Sequence, residues 1–182
     1  MDDIEIRAVD AGDVDWIVEH HAALYARDEG FDETFGPLVR DLLLGYFANH
    51  DPTGEAGWIA VSGGKRLGCI FCVRLSATTA KLRMFLTLPE ARGMGLGRKL
   101  LAQCTDFARA SGYADMTLWT HESHRAACAL YERCGWRLVD SQPVHAFGCD
   151  VVEQTWHLTL YSSCNRALPS LNRRRCRLSS VG

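Results

Sequence analysis

Leu86-Thr-Leu-Pro-Glu-Ala-Arg-Gly-Met-Gly-Leu-Gly-Arg-Lys-Leu-Leu101 reads as a strand, a glycine-rich turn and the start of a helix. Pro89 lacks the N–H that a sheet ladder needs, so the strand stops there. Gly93, Gly95 and Gly97 bare the backbone and admit positive φ, which lets N–H groups close on an anion. Beyond them Leu96, Leu100, Leu101, Cys104, Phe107 and Ala108 follow the 3.6-residue period as one apolar stripe, with Arg98, Lys99, Gln103, Asp106 and Arg109 opposite. Gly112 is placed to stop the helix. A glycine turn that feeds a helix N-terminus is an anion site, because first-turn N–H groups are unpaired and the helix dipole favours negative charge. The expected ligand carries a phosphate or pyrophosphate.

The glycine spacing separates the phosphate-binding classes. A dinucleotide fingerprint needs G-x-G-x-x-G, and a P-loop needs Lys-Ser/Thr directly after its last glycine. Here the glycines are spaced G-x-G-x-G and Gly97 is followed by Arg98-Lys99-Leu100, so neither fits. The pattern present is R-x-x-G-x-G, as Arg92-Gly93-Met94-Gly95-Leu96-Gly97. It resembles the pyrophosphate signature of the GNAT superfamily of acyl-CoA-dependent N-acyltransferases. Ala126-Ala-Cys-Ala-Leu-Tyr-Glu-Arg-Cys-Gly-Trp136 resembles that family's second signature, A-x-x-L-Y-E-x-x-G-F/W. Upstream Ala80–Phe85 and downstream Gln154–Trp156 extend the likeness, which spans roughly residues 4 to 161. It is nearest to the acetyltransferase half of proteins in which a MarR-type winged-helix domain precedes a GNAT domain.

The resemblance implies an α/β fold, a mixed and mostly antiparallel seven-stranded sheet with splayed central strands, flanked by four helices. It implies acetyl-CoA as acyl donor, an amine as acceptor and no metal. The splayed strands would be Lys81–Leu88 and Met116–Trp119. Unpaired backbone groups in such a cleft need partners, and the amide-bearing pantetheine arm is expected on Phe85, Leu86 and Leu88 like an added strand. The pyrophosphate falls to Arg92, Gly93, Met94, Gly95, Leu96, Gly97 and Arg98. Tyr131 matches the family's general acid; its spacing alone also suits a packing aromatic. His124 stands where relatives often carry asparagine, as a CoA contact or merely the first residue of its helix. No acid lies on the fourth strand, so the general base is open among Glu29, His121, Glu122 and His145. The acceptor pocket is expected between Tyr25–Phe35 and Pro143–Gly148, with Tyr25, Glu29, Phe31 and His145 as its side chains. Glu29, Asp32 and Glu33 suit a cationic amine or are a solvated acidic loop. Phe31, Phe35 and Phe147 are core or pocket wall.

Composition bounds these readings. With 182 residues, 47% of them hydrophobic, the chain has enough apolar content for one full core. It has no apolar run of about 18 residues, the minimum for a spanning helix. Its start, Met1-Asp-Asp-Ile-Glu, lacks the basic-then-apolar layout of a signal peptide, which points to the cytoplasm. The eight cysteines are scattered. Cys69 and Cys72, a C-x-x-C whose side chains face opposite ways on a strand and which has no second pair, read as buried reduced thiols. Of 20 basic and 22 acidic residues, 162–182 hold five arginines and no acid, leaving 15 against 22, a net −7, on the rest. That acidity argues against nucleic acid as partner. Residues 1–161 are expected to form the acyltransferase domain and 162–182 a flexible basic tail, which could touch RNA or an acidic partner. A homodimer is compatible with the sequence. The rival function is a non-catalytic acyl-CoA-binding regulatory domain.

Elements follow from period and punctuation. Ile4–Ala8 alternates as a strand, and Asp13 is placed to cap a helix from Val14 to about Ala26, with Val14, Ile17, Val18, His21 and Leu24 inward. A second helix runs from Thr34 to about Ala48, its apolar side Phe35, Leu38, Leu42, Tyr46 and Phe47. Trp58–Val61, Leu67–Leu75 and Lys81–Leu88 form a meander with a turn at Ser62–Lys65. Met116–Trp119, a helix over His124–Cys134, Arg137–Asp140 and Val151–Leu160 complete the order β-α-α-β-β-β-α-β-α-β-β.

Overall fold

The computed structural model describes residues 4–161; the expected basic tail, 162–182, lies outside them. The strands are β1 (Glu5–Ala8), β2 (Ala56–Ser62), β3 (Lys65–Arg74), β4 (Thr79–Thr87), β5 (Asp115–His121), β6 (Arg137–Ala146) and β7 (Cys149–Thr159). The helices are α1 (Val14–Glu29), α2 (Phe35–Asn49), α3 (Leu96–Ala110) and α4 (Arg125–Arg133), with 3-10 turns at Ala11–Asp13 and Pro89–Ala91. The sheet order is β1-β2-β3-β4-β5-β7-β6. Neighbours are antiparallel except β4 and β5. The expected α/β class, strand count and helix count are those observed.

Strand alternation divides the core between two faces. Leu96, Leu100, Leu101, Cys104 and Ala108 of α3 pack with Ala80, Leu82, Met116 and Leu118 on one face. Val14, Ile17 and Val18 of α1 and Val39 and Leu43 of α2 pack with Ile59, Phe71 and Leu86 on the other. Burying each large aliphatic side chain contributes about 1.5–3 kcal/mol. Cys69 and Cys72 are both buried free thiols, one in each cluster, as opposite-facing strand residues must be.

Several expectations need correction. Asp13 makes no helix cap. It is fully buried, its carboxylate gripped by Arg7 at 2.8 and 2.9 Å, by Arg66 at 2.7 Å and by the Asp10 N–H at 3.0 Å. Burial pushes its pKa upward, but these hydrogen bonds outweigh that and bring it down to about 2. Helix α1 runs three residues past Ala26 and ends at Gly30 in the left-handed conformation, so Glu29 is a helix residue, not part of the link. Helix α2 buries Gly36, Val39 and Leu43, while Leu38 and Leu42 remain exposed. Pro143–Ala146 belongs to β6 rather than to a loop. As the sheet's last strand β6 tolerates the proline, and the turn to β7 is confined to Phe147–Gly148, both at positive φ.

Candidate active site

Beyond Lys81 the ladder between β4 and β5 stops. Only Thr79, Ala80 and Lys81 pair with Asp115, Met116 and Thr117, although β4 continues to Thr87 and β5 to His121. On its other side β4 carries an irregularity opposite Cys69–Phe71, where Met84 takes a φ of 47°. The parted strands open a cavity of about 610 Å³ that reaches from the α3–α4 face to the α1–α2 face.

The glycine turn stands at one end of this cavity. Gly93 and Gly95 have φ of 78° and 71° with open space where a Cβ would lie. Glycine is needed there for conformation rather than for room. The first intrahelical bond of α3 runs from Lys99 N–H to the Gly95 carbonyl, and Gly95 offers no capping side chain. The N–H groups of Gly95, Leu96, Gly97 and Arg98 therefore open toward the turn, an anion cradle. A Cβ on Gly97 would come within 3.3 Å of Leu130 and 3.6 Å of Phe85, so this glycine keeps the cleft wall thin.

Glu29 and His124 close the opposite wall. The Glu29 carboxylate, its side chain only 3% exposed, lies 3.0 Å from His124 Nε2 and accepts from Ser123 Oγ at 2.7 Å. His124 Nδ1 is 3.4 Å from Thr120 Oγ1. Burial lowers the His124 pKa against the pull of Glu29 and Asp28. Its ring is neutral at neutral pH, with the Nε2 proton directed at the acceptor-only carboxylate and a lone pair on Nδ1. Beside it Tyr25 packs edge-on, ring centroids 5.1 Å apart, and burial raises the Tyr25 hydroxyl to about 12. His121 is also held below its usual value by burial, and its Nδ1 is buried without a partner. Glu29, His121 and His124 have donor atoms within 4.8 Å of one another and are, among the described residues, the one group that could hold a cation.

Two further side chains line the cavity. Tyr131 is buried at the inner wall, wedged among Phe85, Trp136 and Trp156 with ring centroids 6.0–6.1 Å away. Burial pushes its pKa up, so the hydroxyl keeps its proton. His21, 3% exposed, has Nδ1 on the Ile17 carbonyl at 2.8 Å. Nδ1 must donate there, which leaves the Nε2 lone pair buried and unpartnered at the cavity wall. Burial drops the His21 pKa to about 4.

Of the residues singled out from the sequence, Tyr25, Glu29, Phe85, Leu86, Arg92, Gly97, His124 and Tyr131 line the cavity. Gly93, Met94, Gly95 and Arg98 form the adjacent turn and first helical turn. Leu96 is buried core. Leu88 is also buried, and its N–H is donated to the Leu67 carbonyl at 2.8 Å, so that group is not free for a ligand. Phe31 lies behind the cavity, tilted against Tyr25 and Phe147 and edge-on to Phe35. His145, 70% exposed at its side chain, pairs with Asp150 on the terminal hairpin and does not reach the cavity. The sequence reading missed Ser123, Arg83 and Trp119 as lining residues. It placed His21 on an apolar stripe, where a polar residue was the available signal.

Residues 19–136 match the model of the acetyltransferase (GNAT) family, and the chain belongs to that family. No curated protein matches it in sequence. Among solved structures it is similar to a GNAT-family acetyltransferase from Staphylococcus aureus Mu50, at 16% identity and a TM-score of 0.72, over 87% of this chain and 100% of that one. An acetyltransferase from Streptococcus agalactiae 2603 is 23% identical, with a TM-score of 0.71 over 86% and 98%. Spermidine N-acetyltransferase from Vibrio cholerae is 18% identical, with a TM-score of 0.67 over 86% and 95%. At these identities the likeness is one of fold. No helix among the described residues is long and apolar enough to cross a membrane.

Proposed function

We propose that the chain transfers an acetyl group from acetyl-CoA to a primary amine by direct attack, with residues 1–161 as the acyltransferase domain. The observation that carries this reading is the parted β4–β5 pair, which runs from an uncapped, glycine-flanked helix N-terminus to a buried Glu29–His124 pair. The pyrophosphate would sit on the N–H groups of the α3 turn with Arg92, and the pantetheine arm along Phe85 and Leu86. The Vibrio cholerae neighbour was solved with CoA and spermine, which supports CoA as the ligand of such a cleft.

Acyl transfer requires a deprotonated amine and a stabilised leaving thiolate. Glu29 would anchor the incoming ammonium. His124, neutral because burial disfavours its charged form, would take the proton on Nδ1, and Glu29 would then stabilise the imidazolium as an ion pair. The amine lone pair attacks the thioester carbonyl, and the tetrahedral intermediate collapses as the C–S bond breaks and Tyr131 gives its hydroxyl proton to the departing CoA sulfur. The second proton of the attacking nitrogen, lost as the amide forms, returns Tyr131 to its neutral form, and His124 releases its proton to solvent. His21 Nε2 would accept an N–H from bound ligand. The absent β4 acid favoured a non-catalytic acyl-CoA-binding role. A carboxylate–histidine pair on the facing wall supplies the missing function and favours catalysis.

The test is thermal unfolding with acetyl-CoA, CoA or NAD, followed by CoA release with an amine panel. At a hundred times its Kd a ligand adds about 2.7 kcal/mol to the folded state. Stabilisation by both CoA species but not NAD, with amine-dependent CoA release, is expected. Binding without release from any amine would favour the non-catalytic reading, and no binding would overturn both.

A further inference from the structure

The sheet face beneath α1 and α2 carries two cations, Lys81 and Arg83, that no carboxylate among the described residues contacts directly; Glu153 acts on Lys81 only from a distance. Along β4, Ala80 and Leu82 point into the core under α3, so Lys81 and Arg83 face the other way. Lys81 is 3% exposed, and its Nζ lies 2.8 Å from the centroid of the Trp119 ring. Neither Lys81 nor Arg83 makes a side-chain hydrogen bond or ion pair among the described residues. Burial and the charge of Arg83 lower the Lys81 ammonium to about 8 against the pull of Glu153. Two like charges on one strand face repel, and an anion between them would relieve both.

Both side chains line a second cavity of about 400 Å³, which shares Leu42, Arg83 and Met84 with the first. Its acids do not fill the role. Glu55 accepts the backbone N–H groups of Asp51 and Arg74, Arg74 is paired with Asp51, and Asp41 is on the exposed side of α2. Leu38, Leu42 and Trp119, which line the first cavity, are 42%, 36% and 59% exposed, and the apolar side chains common to both spaces are Leu42 and Met84.

Resting on the transferase reading above, we propose that the acceptor is an amine bearing an oxyanion on an apolar body. Its amine meets Glu29 and His124, its body crosses Leu42 and Met84, and its carboxylate or phosphate is held by Arg83 and Lys81. The guanidinium fork suits either oxyanion. A polyamine fits poorly. In the first cavity Asp28 is already paired with Arg27, leaving Glu29 against Arg83, Arg92 and Arg125.

The experiment compares CoA release from acetyl-CoA with L-phenylalanine, the dipeptide Leu-Leu, O-phosphoethanolamine, phenethylamine and spermidine. A carboxylate or phosphate amine is expected to exceed phenethylamine at least tenfold in kcat/KM, and the two carboxylate arms against the phosphate arm assign the oxyanion. In Arg83→Gln that preference should collapse at least tenfold, chiefly through KM, with acetyl-CoA still stabilising the protein. Equal or better use of phenethylamine or spermidine, or a preference untouched by Arg83→Gln, overturns the inference and leaves the transferase reading standing. Acetyl-CoA binding without CoA release in any arm also overturns it. Neither binding nor release overturns the transferase reading as well.

Discussion

The carboxylate of Glu29, in the last turn of α1, lies 3.0 Å from Nε2 of His124 at the entrance to α4. The pair ties the end of α1 to the start of α4 on one wall of the cleft, and Ser123 Oγ adds a second donor to the same carboxylate. Replacing Glu29 with glutamine keeps the shape but removes the charge that favours imidazolium. General-base catalysis contributes roughly 10²–10⁴-fold, so a fall in kcat of that order is expected from steady-state rates.

The pH profile tests the same pair from the other side. His124 works as a base only when neutral, and its pKa is held below the ordinary value by burial while Glu29 pulls it upward. Activity should therefore persist below pH 6.5, the ordinary histidine value. Removing the Glu29 charge lowers the His124 pKa further, so the acid limb of kcat in Glu29→Gln should move to lower pH. A limb that moves upward would reassign the base.

Tyr131→Phe deletes one hydroxyl from a ring otherwise locked by Phe85, Trp136 and Trp156. Turnover should fall at least tenfold while stabilisation by acetyl-CoA is retained. An unchanged rate would return Tyr131 to a packing role.

His21→Leu should raise stability while weakening ligand binding. An unsatisfied buried polar atom costs about 1–3 kcal/mol, and the Nε2 of His21 is such an atom. The wild type should also lose stability as pH falls from about 6.5 toward about 4, because the unfolded chain takes up a proton that buried His21 refuses. In the variant that contribution is gone, which denaturant titrations at pH 7 and pH 5 would measure.

Asp13→Asn breaks a buried hub and leaves Arg7 and Arg66 without their shared counter-charge. Arg7 and Arg66 are about a third exposed, so water offsets part of the loss, and the expected cost is about 1–3 kcal/mol, that of hydrogen bonds to a charged group. In the wild type the Asp13 contribution is complete above its ordinary pKa of 3.8 and is lost as pH falls through about 2. Urea unfolding across that range, compared with the variant, isolates it.

The elements read most accurately from sequence are those whose cause is local. The apolar stripe of α3 from Leu96 to Ala108 and its stop at Gly112 needed only period and glycine chemistry. Helix α2 is legible in its bounds and in Phe35, Tyr46 and Phe47, which pack on the core, but not in Leu38 and Leu42, because Phe35, Leu38, Val39, Leu42, Leu43 and Phe47 leave it apolar nearly all round. Periodicity then names no buried face, and the sheet chose Val39 and Leu43. Strand β6 was cut short at Asp140 because an exposed edge strand shows no alternation to follow.

By itself the sequence determined the glycine turn, the tyrosine helix and the succession of elements along the chain, since backbone conformation, capping and one-sided burial act within a few residues. Only tertiary structure decided that Glu29 meets His124, that His21 keeps an unpaired nitrogen at the cavity wall, and that Lys81 and Arg83 share a face without a direct ion-pair partner among the described residues. Each depends on which segments of chain are brought together. Burial, and with it the strength of every charge interaction, is a property of the assembled fold rather than of neighbours in sequence.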